Sequence, residues 1–196
     1  MPIIVDKVQK RRDIALSCRD LLLENGIDNL TISQIAQQAG VGKGTVYEYF
    51  DGKEDIVFEI IATFLTEYRK RLEELAASSV STRQKLFEFF YSLYESPEGQ
   101  KHLEIYREFL AISMTRKIEA MLSFSAQSRG EFRAILEGIL AEGIARGELR
   151  GHHKGLAETL IVFSTGLVVD SRLSRFDVRD ALETFLDGLF GQGEIR

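Results

Sequence analysis

Thr31-Ile-Ser-Gln-Ile-Ala-Gln-Gln-Ala-Gly-Val-Gly-Lys-Gly-Thr-Val-Tyr-Glu-Tyr-Phe50 reads as two short helices joined by a glycine turn. Thr31 and Gln34 have the spacing of a capping box. The threonine hydroxyl accepts from the backbone N–H of Gln34, and the glutamine side chain reaches back. The helix that follows runs to Gln38 or Ala39 and ends at Gly40; the next begins after Gly42 and ends near Phe50, before Asp51-Gly52. Ala36, Gly40 and Val46 stand at relative positions 0, +4 and +10. Two helices crossing steeply need this pattern. A small residue lets the second approach the first, a glycine takes the left-handed turn, and an apolar residue plugs the crossing. Ile35, Ala39 and Val41 complete the small core, leaving Lys43, Thr45, Tyr47 and Tyr49 toward the exposed side. A helix entering a major groove by its amino end is the helix-turn-helix mode of reading DNA.

Upstream, residues 7–25 are predicted as one helix. Ile14, Cys18, Leu21 and Leu22 recur at helical spacing, and Asn25-Gly26 supplies the stop. Lys7, Lys10, Arg11, Arg12 and Arg19 against Asp13 make a local +4, although the first 56 residues hold seven basic and nine acidic residues, net −2. Lys7–Arg12 is either a DNA-contacting arm or a solvated helix start. Downstream, a long helix is predicted from about Lys53 to Ala77, with Val57, Ile61, Phe64, Tyr68, Leu72 and Leu75 on one stripe. Further helices are expected at 83–95, from Pro97 to about Met114, over 116–146, near 156–173 and near 177–190. Pro97 suits a first helical turn and Asp177 an N-cap.

The 196 residues are 44 % hydrophobic and 28 % charged, which excludes the composition of a disordered chain. Pro2 and Pro97 are the two prolines, and such sparse punctuation argues against a β-sandwich. A single cysteine, Cys18, excludes an internal disulfide and reads as a small buried hydrophobe. The net charge of −5 excludes a globally basic nucleic-acid binder but not a locally basic one. Met1–Arg12 has no secretory apolar core, and Leu156–Val169, interrupted by Glu158, is too short to span a bilayer. A cytoplasmic protein with no membrane partner is expected.

Leu30–Ile56 carries Ile-Ala, Ala-Gly-Val, Lys-Gly-Thr-Val-Tyr, Tyr-Phe and Lys-Glu in register, and in this it resembles the TetR family of bacterial repressors. The resemblance spans about residues 10–65; the remainder matches in pattern only. It implies that Thr31 caps its helix and meets a phosphate, and that Ser33 reaches a base edge or phosphate. It places Lys43, Gly44 and Thr45 at the opening of the recognition helix, with Lys43 donating to guanine and Gly44 permitting close backbone approach. Tyr47 looks like the phosphate-binding tyrosine, Tyr49 lies along the groove wall, and Lys53 looks like a phosphate clamp at a helix amino end. Gly42 and Gly52 depart from the family, which often has a serine cap at these places. Glu48 adds a carboxylate beside the groove surface. Gly40–Thr45 also resembles the tail of a nucleotide kinase phosphate loop. Against that, Gln37 stands where the first glycine belongs, and no apolar strand precedes it.

The expected architecture is all-α. An N-terminal three-helix helix-turn-helix domain occupies residues 7–56 (motif 31–50), and a C-terminal helical ligand-binding and dimerisation domain occupies 57–196. The expected function is a ligand-responsive regulator, a repressor rather than an enzyme. It binds a palindromic double-stranded DNA operator as a homodimer and is released by a small-molecule inducer. Leu156, Leu160, Phe163 and Leu167 form one stripe, and Val178, Leu182, Phe185 and Leu189 another; pairing of these helices between copies is favoured over a monomer core. Phe87, Phe90, Tyr91 and Tyr94 read first as core. By position in the family, Tyr91, His102, Tyr106, Met114, Met121 and Phe124 are candidates to line an inducer pocket, as are Ser113 and Ser125. His152-His153 reads as a polar loop, and no metal or cofactor is expected.

Overall fold

The computed structural model describes residues 6–116, 118–149 and 155–191. Among them the chain forms ten α-helices and no strand, as the all-α expectation requires. These are α1 Lys7–Ser17, α2 Arg19–Asn29, α3 Ile32–Gln38, α4 Lys43–Tyr49, α5 Lys53–Ala77, α6 Thr82–Tyr91, α7 Pro97–Thr115, α8 Glu119–Ala145, α9 Leu156–Leu173 and α10 Val178–Phe190. His152 and His153 lie outside the described residues. Two compact units result. Unit 1 holds the residues described within Met1–Thr66 and Lys101–Leu122, and unit 2 those within Glu67–Gln100 and Ser123–Arg196.

In unit 1 the single helix expected at 7–25 is divided. Cys18 ends α1 and begins α2: its N–H donates to the Ala15 carbonyl at 3.0 Å, and its own carbonyl accepts from Leu22 at 2.9 Å. Neither glycine nor proline marks the break, so apolar periodicity passes through it. Asn25-Gly26 does break the helical backbone, as expected, although a further turn follows. Gly26 takes φ 67° inside α2, a conformation that side chains disfavour, and the chain makes one more turn to Asn29. Asp6 caps α1, its carboxylate accepting from Val8 and Gln9 at 3.0 and 3.2 Å. Ile14, Leu22, Ile35, Val46, Phe50, Ile56 and Ile60 are buried, together with Ile105, Phe109 and Ile112 of α7. Each such side chain contributes about 1.5–3 kcal/mol by leaving water. Cys18 is fully buried, as expected, and burial pushes its thiol pKa up.

Unit 2 is built on apolar stripes. Leu72, Leu86, Phe89, Phe90, Leu136, Leu140, Leu160, Leu182 and Leu186 share one core, with Phe163, Phe185 and Leu189 packed against it. The core reading fits Phe90, which is buried, and Phe87 and Tyr91, which lie against the core; Tyr94 is half-buried and stacks on Tyr91 at 6.1 Å. The stripes expected to pair between copies on α9 and α10 therefore face this unit's own interior. Among the described residues, one charged side chain is buried in this core. Lys85 is buried, and its Nζ donates to Glu142 Oε2 at 2.6 Å and to the Ala76 carbonyl at 2.7 Å. Nearby, Glu148 Oε2 accepts from the Thr82 backbone at 2.6 Å. The lysine hydrogen bond holds the Glu142 carboxyl below its usual pKa, and the Thr82 N–H does the same for Glu148.

Candidate nucleic-acid interface

The capping box forms. Gln34 N–H donates to Thr31 Oγ1 at 3.3 Å, and Thr31 N–H donates to Gln34 Oε1 at 3.0 Å. At the other end of α3, Gly40 takes φ 63°. Its N–H donates to the Gln37 carbonyl at 3.2 Å, and that of Val41 donates to Ala36 at 2.9 Å. This pair of bonds is a Schellman motif; it requires the left-handed residue that only glycine adopts freely, and it redirects the chain into α4. Val46 is fully buried and Ala36 nearly so, which places the plug and the small residue where the crossing needs them. The two short helices are thereby held by each other.

The remaining α4 residues divide by exposure. Lys43, Gly44, Tyr47 and Glu48 are exposed, and Thr45 and Tyr49 are half-buried. Tyr47 is 62 % exposed, a large aromatic ring held in solvent. A Cβ added at Gly44 would meet open space, so the backbone there is approachable from outside. Thr31 and Ser33 are exposed at the start of α3. Gly42 has extended backbone and offers no side-chain cap to α4.

Lys53 has a more internal role than a free phosphate clamp. Its Nζ donates to the Asp28 and Leu30 carbonyls at 2.7 and 3.2 Å, the end of α2, where the helix dipole favours a cation. An ammonium has three donors, so a third remains for another acceptor. In the same region Arg116 pairs with Glu54 and lies 3.8 Å from Asp28.

Arg11, within a stretch that reads either as a DNA-contacting arm or as a solvated helix start, turns inward. Its Nε donates to Glu59 Oε2 at 2.7 Å, and Nη2 lies 3.5 Å from Asp55 Oδ1. Nη1 donates to the Tyr49 carbonyl, and the guanidinium carbon sits 4.4 Å from the Phe50 ring centroid. No sequence pattern links residues 38 and 48 positions apart, so these contacts were invisible before folding. Lys7 is exposed, and Lys10 and Arg12 are half-buried.

The residues singled out as an inducer pocket are distributed over both units. In unit 1, His102 stacks on Phe64 at 4.1 Å and Tyr106 on Phe109 at 6.1 Å. Met121 is buried, whereas Met114 is exposed. In unit 2, Phe124 is half-buried, and Tyr91 lies between Phe87, Tyr94 and the Arg179 guanidinium. Among the described residues no group of three or more His, Cys, Asp or Glu side chains is placed to hold a metal ion. No described helix is long and apolar enough to cross a membrane.

Residues 18–60 match the model for bacterial regulatory proteins of the tetR family. The chain is 30 % identical over 135 residues to the fatty acid metabolism regulator protein of Bacillus subtilis, an alignment covering 67 % of this chain and 66 % of that protein. It is 26 % identical over 145 residues to the HTH-type transcriptional repressor KstR2 of Rhodococcus jostii, covering 74 % of this chain and 70 % of the relative. The matched part thus spans about two thirds of the length of these curated relatives. Among solved structures, the transcriptional regulator FadR from Bacillus subtilis in complex with stearoyl-CoA superposes with a TM-score of 0.69. That likeness covers 91 % of this chain and 97 % of the other at 22 % identity, and it concerns the fold.

Proposed function

Because the chain belongs to the TetR family of bacterial transcriptional regulators, we propose that it is a ligand-responsive repressor. It binds a palindromic double-stranded DNA operator as a homodimer and releases it when a small-molecule inducer binds. The observation that carries this reading is the α3–Gly40–α4 crossing, whose apolar side is locked while Lys43, Gly44 and Tyr47 stand in solvent. Residues 7–56 act as the DNA-binding part and 57–196 as the regulatory and dimerising part.

Lys43 donates to a guanine edge, worth about 1–3 kcal/mol of base discrimination if bidentate. Gly44 lets the backbone close on the DNA, Thr45 and Ser33 contact phosphate or a base edge, and Tyr47 bonds a phosphate. Thr31 adds its hydroxyl at the α3 start, and Tyr49 lines the groove wall. Lys53 gives its remaining donor to a phosphate while anchoring α2.

Two copies meet through α9 and α10. The stripes that face the core are unavailable, but α9 has a second apolar row of Val162, Gly166, Val169 and Leu173 at helical spacing, with Leu173 77 % exposed. A second copy covering this row gives the two-fold symmetry that two half-sites require.

The inducer is a long-chain acyl-CoA thioester. The curated relative regulates fatty acid metabolism and the similar fold holds stearoyl-CoA; Tyr91, His102, Tyr106, Met114, Met121 and Phe124 are the candidate contacts. The ligand shifts the protein only by its differential affinity for the DNA-competent and released states. No cofactor or metal and no enzymatic step takes part, and the protein works in the cytoplasm. The test is a band shift on a duplex that the protein selects, titrated with stearoyl-CoA and with free CoA. Release by the acyl thioester alone is expected. DNA held equally at saturating concentrations of both overturns the ligand assignment.

A further inference from the structure

We propose that Arg11 is a positioning residue that fixes the angle of the recognition helix, and that it makes no contact with DNA itself. The proposal rests on α4 being that helix. α4 has seven residues, no side-chain cap at Gly42 and no basic residue in its own last turn. A helix this short is marginal alone. Its last carbonyls lack intrahelical partners and carry the negative end of the helix dipole. The Tyr49 carbonyl finds its donor on α1, in Arg11 Nη1. The same guanidinium covers the Phe50 ring at 4.4 Å and bonds Glu59 at 2.7 Å, with Asp55 at 3.5 Å. Asp55 and Glu59 are one turn apart on α5, so a single planar fork ties α1, the carboxyl end of α4 and the first turns of α5.

The surroundings also say what Arg11 does not do. Two carboxylates neutralise it, and its side chain is 28 % exposed, so it offers little net positive field to a phosphate. Lysine is no substitute. It keeps the charge but, lacking the planar fork, cannot meet a carbonyl, a ring face and a carboxylate at once.

The full-length protein and its Arg11→Lys variant decide the matter through two readouts. The first is affinity, against salt, for a duplex enriched by the wild type from a random pool and for an unrelated duplex. For Arg11→Lys, the enriched duplex should be bound at least about tenfold more weakly, as when one good base contact is lost. The unrelated duplex should be bound as before, and in the charge-free Arg11→Gln variant the salt slope should also stay unchanged, because each lost phosphate contact lowers that slope by about one. The second readout is amide exchange: the Phe50 N–H, bonded to the Val46 carbonyl at 3.0 Å, should exchange faster in the variant while α2 amides do not. In the Arg11→Gln variant, which removes the charge, a slope lower by about one with both duplexes weakened alike makes Arg11 a phosphate contact and overturns the proposal. So does unchanged affinity for the enriched duplex, or unchanged exchange at Phe50. A wild type that enriches no duplex instead removes the reading-helix assignment beneath it, while the exchange result still judges the brace.

Discussion

α4 has seven residues and buries Val46; α9 has eighteen and buries Ala157, Leu160, Ile161 and Leu167. The longer helix is held by the area it removes from water, spread over many contacts, and no one of them sets its direction. The shorter is held at named points: the Val46 plug, the Gly40 turn before it, and the Arg11 fork at its end. A region stabilised by summed burial loses stability when altered. A region placed by a few contacts loses aim first.

The largest effect is expected in unit 2. Phe90 is buried and lies 5.1 Å from Phe89 and 6.1 Å from Phe163, ring to ring. Phe90→Ala should cost about 3–5 kcal/mol in denaturant unfolding. A loss below about 1 kcal/mol would break the contrast. Glu142→Gln should lower the unfolding midpoint by less, since Lys85 keeps its bond to the Ala76 carbonyl. Its signature is in pH. The folded Glu142 carboxyl lies below the ordinary value of 4.5. Its stabilisation is therefore present above that value and lost as pH falls through the folded one. The glutamine variant should show a shallower loss of stability below pH 4.5 than the wild type; an unchanged acid slope would sink the assignment.

In the reading head the effects move from stability to binding. Lys43→Ala should weaken operator binding by about 1–3 kcal/mol and leave thermal unfolding within about 0.5 kcal/mol, as for an exposed surface change. Equal affinity for the operator would show that Lys43 reads no base. The smallest change is expected for Gly42→Ser. A Cβ at Gly42 finds its nearest neighbour, Thr45 Oγ1, at 4.0 Å, so there is room for a side-chain cap. Thermal melts should show a gain of a few tenths of a kcal/mol; a loss would mean that α4 starts elsewhere.

The same contrast explains what the sequence made legible. The capping box, the Gly40 turn and the Val46 plug were readable because each depends on residues within ten positions of one another. Periodicity located α9 over 156–173, and it located the stripes on α5, α9 and α10. Periodicity cannot tell a stripe that meets its own core from one that meets a second copy, and the most apolar rows of α9 and α10 proved to be the former. Nor can it see a break without glycine or proline, so the α1–α2 junction at Cys18 was read through. Lys53 is expected by resemblance to face phosphate, and Arg11 reads either as part of a DNA-contacting arm or as part of a solvated helix start. Their partners, the Tyr49 carbonyl and the Asp28 carbonyl, are main-chain atoms that no sequence pattern announces. The pocket candidates were placed by family position rather than by any constraint in the residues, and their distribution over both units had no signal in the chain.

On the proposed function, α4 of two copies reads an operator. Its most direct test is recovery of duplex fragments bound by the purified protein from a random pool at about 150 mM salt, where non-specific phosphate binding is suppressed. An enriched inverted repeat with half-site centres about 10 base pairs apart, or a multiple of that, is expected. Recovery of no common sequence by a folded, ligand-free protein would contradict it.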